Sequence, residues 1–519
     1  MSNGLKLLLA AVFIVAVLLP LGVMLFQMDA ESFQAVVMGE NFGTVVLNSL
    51  SVSLTTTLIT VLLAYLLALA TRRCDIKGKG LFALIFTLPM LVPSISNGMG
   101  LLILFGNNGI ITRLLGWNQN IYGFWGIVLG SLLYAFPVAY LMFADILTYE
   151  DMTPYEAARV LGLSKWRQFT AITWPYLRKP LVSVVFSVFS LVVTDYGVPL
   201  MVGGKFYTIP VVMYKEVIGQ LKFGRGAVYG VLLLIPAVIA FVLDLLNKDK
   251  GNSAYVVKGE QRKSPLGTKI IAYAGCIVTA CGVLLPFVAF ILLAFAKAYP
   301  RDLTFTLANI QKTFVDDGAG QYLLTSVIMA LGVSLVGIII SFITAYFTAR
   351  MRSGASKFLH LASITTGAIP GIVLGLSYVL TFKGSFVYGT LAILIMVNTV
   401  HFLSSPYLMM YNSLSKINEN LEPVGETLGI SRPRMIKDIF IPRCAGTLAE
   451  MFAYFFVNCM MTISAVSFLA GPDNTPLSLL ITQFEAHSKF ECAAVVSLII
   501  LTVNLLIKGV AWLCKRKAH

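Results

Sequence analysis

Charge is what this sequence has least of. Asp, Glu, Lys and Arg make up 12% of its 519 residues, against about 25% in an ordinary soluble domain. With 58% of residues hydrophobic, that scarcity excludes a conventional soluble enzyme. It is what membrane-spanning helices require, since each needs about 20 apolar residues to cross the hydrocarbon core. Site-forming spacings are missing too. The seven cysteines, Cys74, Cys276, Cys281, Cys444, Cys459, Cys492 and Cys514, include no C-x-x-C pair, so neither a disulfide framework nor a zinc site is implied. We read them as packing residues. His360, His401, His487 and His519 are too scattered for a metal cluster. No G-x-x-x-x-G-K-[ST] stretch occurs, and GGKF at 203–206 lacks its frame. No nucleophile–base set is visible. The expectation is a chain that is no enzyme, with no catalytic residue, no metal and no cofactor of its own.

What is present is a series of apolar runs. They fall at roughly 7–26, 47–70, 81–105, 122–144, 181–201, 227–246, 270–296, 322–348, 358–381, 387–411, 446–470 and 492–514, twelve candidate spans. Helices are the expected form, because lipid offers no partner for backbone polar groups and the runs are too long for barrel strands. The first run is longer than the core of a signal peptide and no good cleavage site follows it. It is read as a retained span.

Charge placement tests the map. With the N-terminus inside, 28 of the 38 Lys and Arg fall on the inner side: Lys6, the cluster 72–79, the segments 159–179, 248–269, 350–357 and 416–443, and the tail 508–517. That bias predicts both termini in the cytoplasm. It also accounts for the net charge of +14 without nucleic acid, because the positive charge is spread over seven segments rather than gathered into one patch.

The polar stretch NKDKGNSAYVVKGEQRKSPLG at 247–267 reads as a linker between two halves of six spans, 1–246 and 269–519. The halves resemble each other. An offset of 267 brings Tyr140-Leu141-Met142 onto Tyr407-Leu408-Met409, Gly162 onto Gly429, Ile172 onto Ile439 and Pro175 onto Pro442. Earlier, an offset near 277–281 brings Pro93 onto Pro370 and Ala64-Tyr65 onto Ala345-Tyr346. A shared order at a nearly constant offset indicates a duplicated unit. An even span count per half makes the repeats parallel.

Two polar inserts interrupt the apolar pattern, in the loops 146–180 and 413–445. In PYEAARVLGLSKWRQFTAITWP, at 154–175, Thr153 is the expected N-cap and Pro154 the first helical residue. Glu156 suits the positive end of the helix dipole. Ala157 and Ala158 favour helix and close approach, and Gly162 reads as a C-cap or turn residue. Ser164 is a candidate cap for a second helix with Trp166, Phe169 and Ile172 along one stripe. Pro175 marks re-entry to the fifth span. Recurrence of Gly, Ile and Pro in LEPVGETLGISRPRMIKDIFIP, at 421–442, argues for a repeated docking loop rather than an accidental polar loop.

Glu156, Ala157, Ala158, Gly162, Ile172 and Pro175 resemble the EAA loop of ABC importer permeases, with Trp174 where Leu is usual. The second insert departs from it. Pro423, Val424 and Gly425 occupy the E-A-A positions, while Gly429, Ile439 and Pro442 fit, and Glu422 or Glu426 is a substitute for the missing acid. The resemblance covers both halves and is to the fused, two-domain permeases of ferric-iron, 2-aminoethylphosphonate and polyamine uptake systems. It implies an all-α membrane protein with about twelve transmembrane helices in two tandem type-I importer halves, in a bacterial cytoplasmic membrane. It further implies that each loop forms a coupling helix docking on one of two copies of an ATP-binding subunit. ATP and Mg would sit on those partners, and an extracytoplasmic binding protein would deliver the solute.

Ionisable residues deep in a membrane are functional candidates by default. Asp195, in LVVTDYGVP, falls well inside the fifth span; His401, mid-span in the tenth, has Asn398 three residues away on the same helical face. Each also has a bland reading, Asp195 as a carboxylate bonded to backbone or Ser/Thr and His401 as a packed, hydrogen-bonded ring. The Gly/Pro-rich stretches 89–100 and 365–375 correspond between halves and can free backbone to line a cavity. The competing class is a secondary transporter of the major-facilitator type, which also has twelve spans in two parallel halves. It needs no docking inserts, and TRRCDIKGKG after the second span is not its G-x-x-x-D-R-x-G-R-R pattern.

Overall fold

Apolar runs in lipid must close their own backbone hydrogen bonds, and these runs do so as helices. The computed structural model describes residues 2–116, 121–247, 264–351 and 353–518. Helices α1 (Gly4–Phe26), α2 (Phe42–Arg73) and α3 (Lys79–Leu91) come first. Then follow α4 (Ser94–Phe105), α5 (Phe124–Thr148), α6 (Thr153–Val160), α7 (Lys165–Thr194), α8 (Gly197–Val202), α9 (Phe223–Leu246) and α10 (Leu266–Ala294). The second half runs through α11 (Ala319–Arg350), α12 (Gly354–Ala368), α13 (Gly371–Phe382), α14 (Leu391–His401) and α15 (Ser404–Ser415). It ends with α16 (Leu421–Thr427), α17 (Arg432–Arg443), α18 (Ala445–Met461), α19 (Leu477–Ala486) and α20 (Phe490–Arg516). The only strands among the described residues, Ala296–Ala298 and Asp302–Phe305, pair with each other.

Among the described residues, nine helices are long and apolar enough to cross a membrane, and twelve spans result if each of three bent pairs is one span. The bends fall between α12 and α13 (110°), α14 and α15 (55°) and α17 and α18 (76°). Proline causes the first. Pro370 forces Ile369 out of the helical region, to φ −92° and ψ 116°, and the run 358–381 turns there. Val92, before Pro93, is extended in the same way, at φ −124° and ψ 153°.

Contacts divide the chain into two units, one of residues 40–212 and 235–304, the other of 1–39, 213–234 and 305–519. These are not the sequence halves 1–246 and 269–519: the halves exchange their first spans, and residues 213–234 of the first half also fall with the second. In the second unit α1 packs on α12 and α13: Lys6 Nζ donates to the Met351 carbonyl at 3.1 Å, and the Tyr378 hydroxyl donates to the Ala16 carbonyl at 2.7 Å. In the first unit α10 packs on α3 and α4. A side chain at Gly100 would strike Pro286 at 2.5 Å, so the helices meet at bare backbone. Lys269, near the start of α10, pairs with Asp75 at 2.9 Å. Most of the expected linker 247–268 lies outside the described residues.

The duplication is written in matching bonds. Thr71 Oγ1 lies 3.0 Å from the Tyr140 hydroxyl, and Thr348 Oγ1 lies 2.9 Å from that of Tyr407. Ser49 Oγ accepts from the Ile209 amide at 2.7 Å, and Ser326 Oγ from that of Leu477 at 2.7 Å. Helices α2 and α11 each hold 32 residues and end on Arg73 and Arg350. That fixes the early offset at 277. The match of Ala64-Tyr65 to Ala345-Tyr346 is therefore one turn out of register, an easy slip because residues four apart share a helical face.

Candidate functional site

The first insert forms a short helix, a turn and a second helix. Asp151 Oδ1 accepts from the Thr153 amide at 2.9 Å and from its hydroxyl at 2.8 Å. Met152 stands at the cap position, Thr153 is already the first helical residue, a correction of one position, and Asp151 braces it from just outside the helix. Those bonds hold the Asp151 carboxyl below its ordinary range. Glu156 and Ala157 are exposed in the first turns of α6, while Ala158 is buried.

Gly162 closes the helix. At φ +67° it takes the left-handed conformation that favours glycine. Its amide donates to the Arg159 carbonyl at 3.0 Å, and the Leu163 amide reaches the Ala158 carbonyl at 2.9 Å, the Schellman pattern. Ser164 Oγ then accepts from the Arg167 amide at 3.4 Å and starts α7. Trp166 and Phe169 stack with ring centroids 5.7 Å apart. A π-turn, Phe169–Thr173, carries half-buried Ile172 just before Pro175, which has no amide hydrogen to give the helix.

The second insert repeats this frame. Gly429 has φ +70°, its amide donates to Glu426, and the Ile430 amide reaches Gly425 at 2.8 Å. A π-turn, Ile436–Phe440, carries half-buried Ile439 ahead of Pro442. Burial also runs in register: Pro423 and Val424 are exposed and Gly425 is buried, as Glu156, Ala157 and Ala158 are. The departure from E-A-A has a packing reason. A methyl at Gly425 would meet Met435 Sδ at 2.4 Å, so the glycine makes room for a buried methionine where the first insert has Gln168. Both candidate substitute acids are engaged in ion pairs. Glu422 pairs with Arg350, and Glu426 pairs with Arg432 at 2.7 Å.

Both inserts present apolar side chains. Val160 is 90% exposed, Leu161 75% and Trp166 70%, and in the second insert Leu428 is 68% exposed. Sequence reasoning passed over the residues behind these faces. Arg73 pairs with Glu150, whose Oε1 accepts from the Tyr155 hydroxyl at 2.6 Å; that hydroxyl also lies 2.8 Å from Thr173 Oγ1. Burial and the Glu150 carboxylate push the Tyr155 phenol well above its usual value, so it remains a donor. The signal for the two arginines is the offset of 277, which places Arg73 on Arg350.

The intramembrane candidates do not converge. Asp195 is buried at the break between α7 and α8. Its Oδ1 accepts from Ser94 Oγ at 2.6 Å and the Gly197 amide at 3.3 Å, and its Oδ2 from the Val198 amide at 3.0 Å. It caps α8, the bonded role weighed for it from sequence. His401 is not mid-helix but the last residue of α14, where the chain bends. The ring bonds to the backbone of Ile369, while Nδ1 is buried without a hydrogen-bond partner. A methyl at Gly371 would lie 2.9 Å from its Nε2 and 2.4 Å from Ser464 Oγ. Asn398 turns to a different neighbour. Its Nδ2 donates to the Leu394 carbonyl at 2.8 Å and approaches Met329 Sδ on α11, and its buried Oδ1 has no partner. Among the described residues no group of three or more His, Cys, Asp or Glu is placed to hold a metal.

The family described as binding-protein-dependent transport system inner membrane component matches residues 60–248 and 337–517, once in each half. The ferric transport system permease protein FbpB of Actinobacillus pleuropneumoniae is 25% identical over 484 residues, covering 89% of this chain and 70% of its own length. The putative ferric transport system permease protein FbpB 1 of Haemophilus influenzae is 26% identical over 449 residues, covering 83% and 70%. The thiamine transport system permease protein ThiP of Escherichia coli is 22% identical over 464 residues, covering 87% and 85%.

Proposed function

This chain belongs to the family of binding-protein-dependent transport system inner membrane components, and we propose that it is the permease subunit of an ATP-driven ABC importer in a bacterial cytoplasmic membrane. One observation carries the coupling part of this reading. Two short helices outside the spans are each closed by a left-handed glycine and present exposed apolar side chains, with Leu161 and Leu428 in the same register. Such faces are what a partner covers. Each docks on one copy of an ATP-binding subunit, which holds the ATP and Mg, through exposed Glu156 and Ala157 in the first loop, where buried Ala158 seats the helix and Gly162 closes it, and through the Gly429 frame in the second. Ile172, Pro175, Ile439 and Pro442 set the re-entry of the following helices. Both loops and both termini lie on the cytoplasmic side, as the Lys and Arg bias favours, and a binding protein delivers solute to the opposite face. Family membership leaves the major-facilitator alternative without support.

For the solute, relatives named for ferric iron and thiamine favour these two, iron first. Thiamine was not among the solutes the sequence brought forward, and 2-aminoethylphosphonate and polyamine rest on the sequence resemblance alone. His401 and Asn398, with buried polar atoms lacking protein partners, are our candidates for the solute path in the second unit, and Asp195, which holds the α7–α8 break, is the separate candidate in the first.

The test is uptake in cells carrying the partner ATPase. Glu156→Arg with Gly162→Pro should abolish uptake while the chain still inserts, and the wild-type chain should retain an ATPase through purification. Wild-type uptake by the double variant would refute the coupling assignment. A ligand screen on the accompanying binding protein decides the solute.

A further inference from the structure

Behind each docking helix lies a cluster that the EAA pattern does not include. Helices α2 and α11 end on arginines, and each guanidinium grips a loop carboxylate, Arg73 that of Glu150 and Arg350 that of Glu422. Arg350 is only 2% exposed and Glu422 13%. Its Nε donates to Glu422 Oε1 at 2.7 Å and its Nη2 to the other oxygen, a two-pronged grip that fixes orientation as well as distance. The same group donates to the Ile417 carbonyl at 2.6 Å and the Asn418 carbonyl at 2.7 Å, at the end of α15. It also lies 5.5 Å from the Phe440 ring centroid, in the π-turn of the re-entry helix. In the first loop Glu150 hands the contact through Tyr155 to Thr173. By the offset of 267, Thr173 is the counterpart of Phe440 and Tyr155 the counterpart of Glu422.

Each cluster thus joins a long span, a docking helix and the start of the next span. The carboxylates come from non-equivalent positions, since Glu150 aligns with Ile417. The two halves reach one contact by different residues, so the contact is more than a remnant of duplication. Buried ion pairs are weak stabilisers because desolvation offsets their attraction. What they add is a fixed direction.

We propose that Arg73 and Arg350 are positioning residues of the transport cycle. Each transmits displacement of a docking helix to the end of a 32-residue span through an ion pair, rather than through the loop backbone. This rests on the reading of the inserts as docks.

The test reconstitutes the chain with its ATP-binding subunit and binding protein in liposomes and measures solute moved per ATP hydrolysed. Glu150→Gln and Glu422→Gln should each lower that ratio about tenfold, within the usual range of coupling between sites. Glu150→Asp and Glu422→Asp, which keep the charge, should recover most of it. If a Gln variant does not assemble, Arg73→Lys and Arg350→Lys, which lose the fork, carry the same measurement. A merely structural pair would lower transport and hydrolysis together and leave the ratio unchanged, which overturns the proposal. Glu156→Arg with Gly162→Pro separates the two readings. Loss of its uptake beside a wild-type ratio in the Gln variants removes the positioning role alone, whereas wild-type uptake removes the docking role and this proposal with it.

Discussion

Gly162 and Gly429 show how much of a docking loop can rest on one backbone angle. An added Cβ at either would meet nothing within 4 Å, so substitution strains only the backbone at φ +67° or +70°. The left-handed region costs a side-chain-bearing residue about 1–2 kcal/mol. Gly429→Ala should therefore loosen the closing turn, and the Ile430 amide, which reaches Gly425 at 2.8 Å, should exchange its hydrogen about fivefold faster. Gly429→Asn should be milder, since Asn tolerates this conformation. Gly425 is the opposite case. It is required by volume, because Met435 occupies the space a methyl would need, and a larger residue there would push the docking helix off the re-entry helix.

At the scale of elements, the span breaks are the informative features. Pro93 and Pro370 stop helices in both halves by holding the preceding residue extended. The break in α7–α8 is held by Asp195, which has three protein donors. Asp195→Asn keeps a carbonyl oxygen for Val198 and should retain uptake. Asp195→Ala should cost about 1–2 kcal/mol of helix capping and lower the amount of folded chain in the membrane, with uptake per molecule preserved. Loss of uptake by Asp195→Asn at an unchanged protein level would instead make the carboxylate a solute contact. Such breaks were partly legible in the sequence. Proline and glycine announce themselves locally, so the stretches 89–100 and 365–375 and the frame of Gly162 and Gly429 could be read directly. The break at His401 could not, since VNTVHFLSSP has no proline at that point. Nor could the pairing of Arg73 with Glu150, or the divergence of Asn398 from His401, because these depend on which helix packs alongside rather than on spacing within one helix.

At the scale of the molecule, the exchange of first spans makes each packed unit a product of both sequence halves. Helix α10 meets α4 at Gly100 so closely that a methyl would strike Pro286, and α1 is held to the second-half helices by Lys6 and Tyr378. The hydrophobic pattern identifies α1 and α10 as spans but carries no record of which neighbour each chooses, which is why the halves look self-contained in sequence. A half expressed alone keeps a first span without the helices it packs on and leaves its other helices without one. Segments 1–247 and 264–519, expressed separately, should each be degraded or recovered in low amount. Expressed together, they should assemble and recover uptake, because every contact named here within the two units is available from the pair. Two half-chains that are each stable and monodisperse alone would show that the exchanged spans contribute little to folding. In that case the first span of each half would be a replaceable addition rather than part of the core.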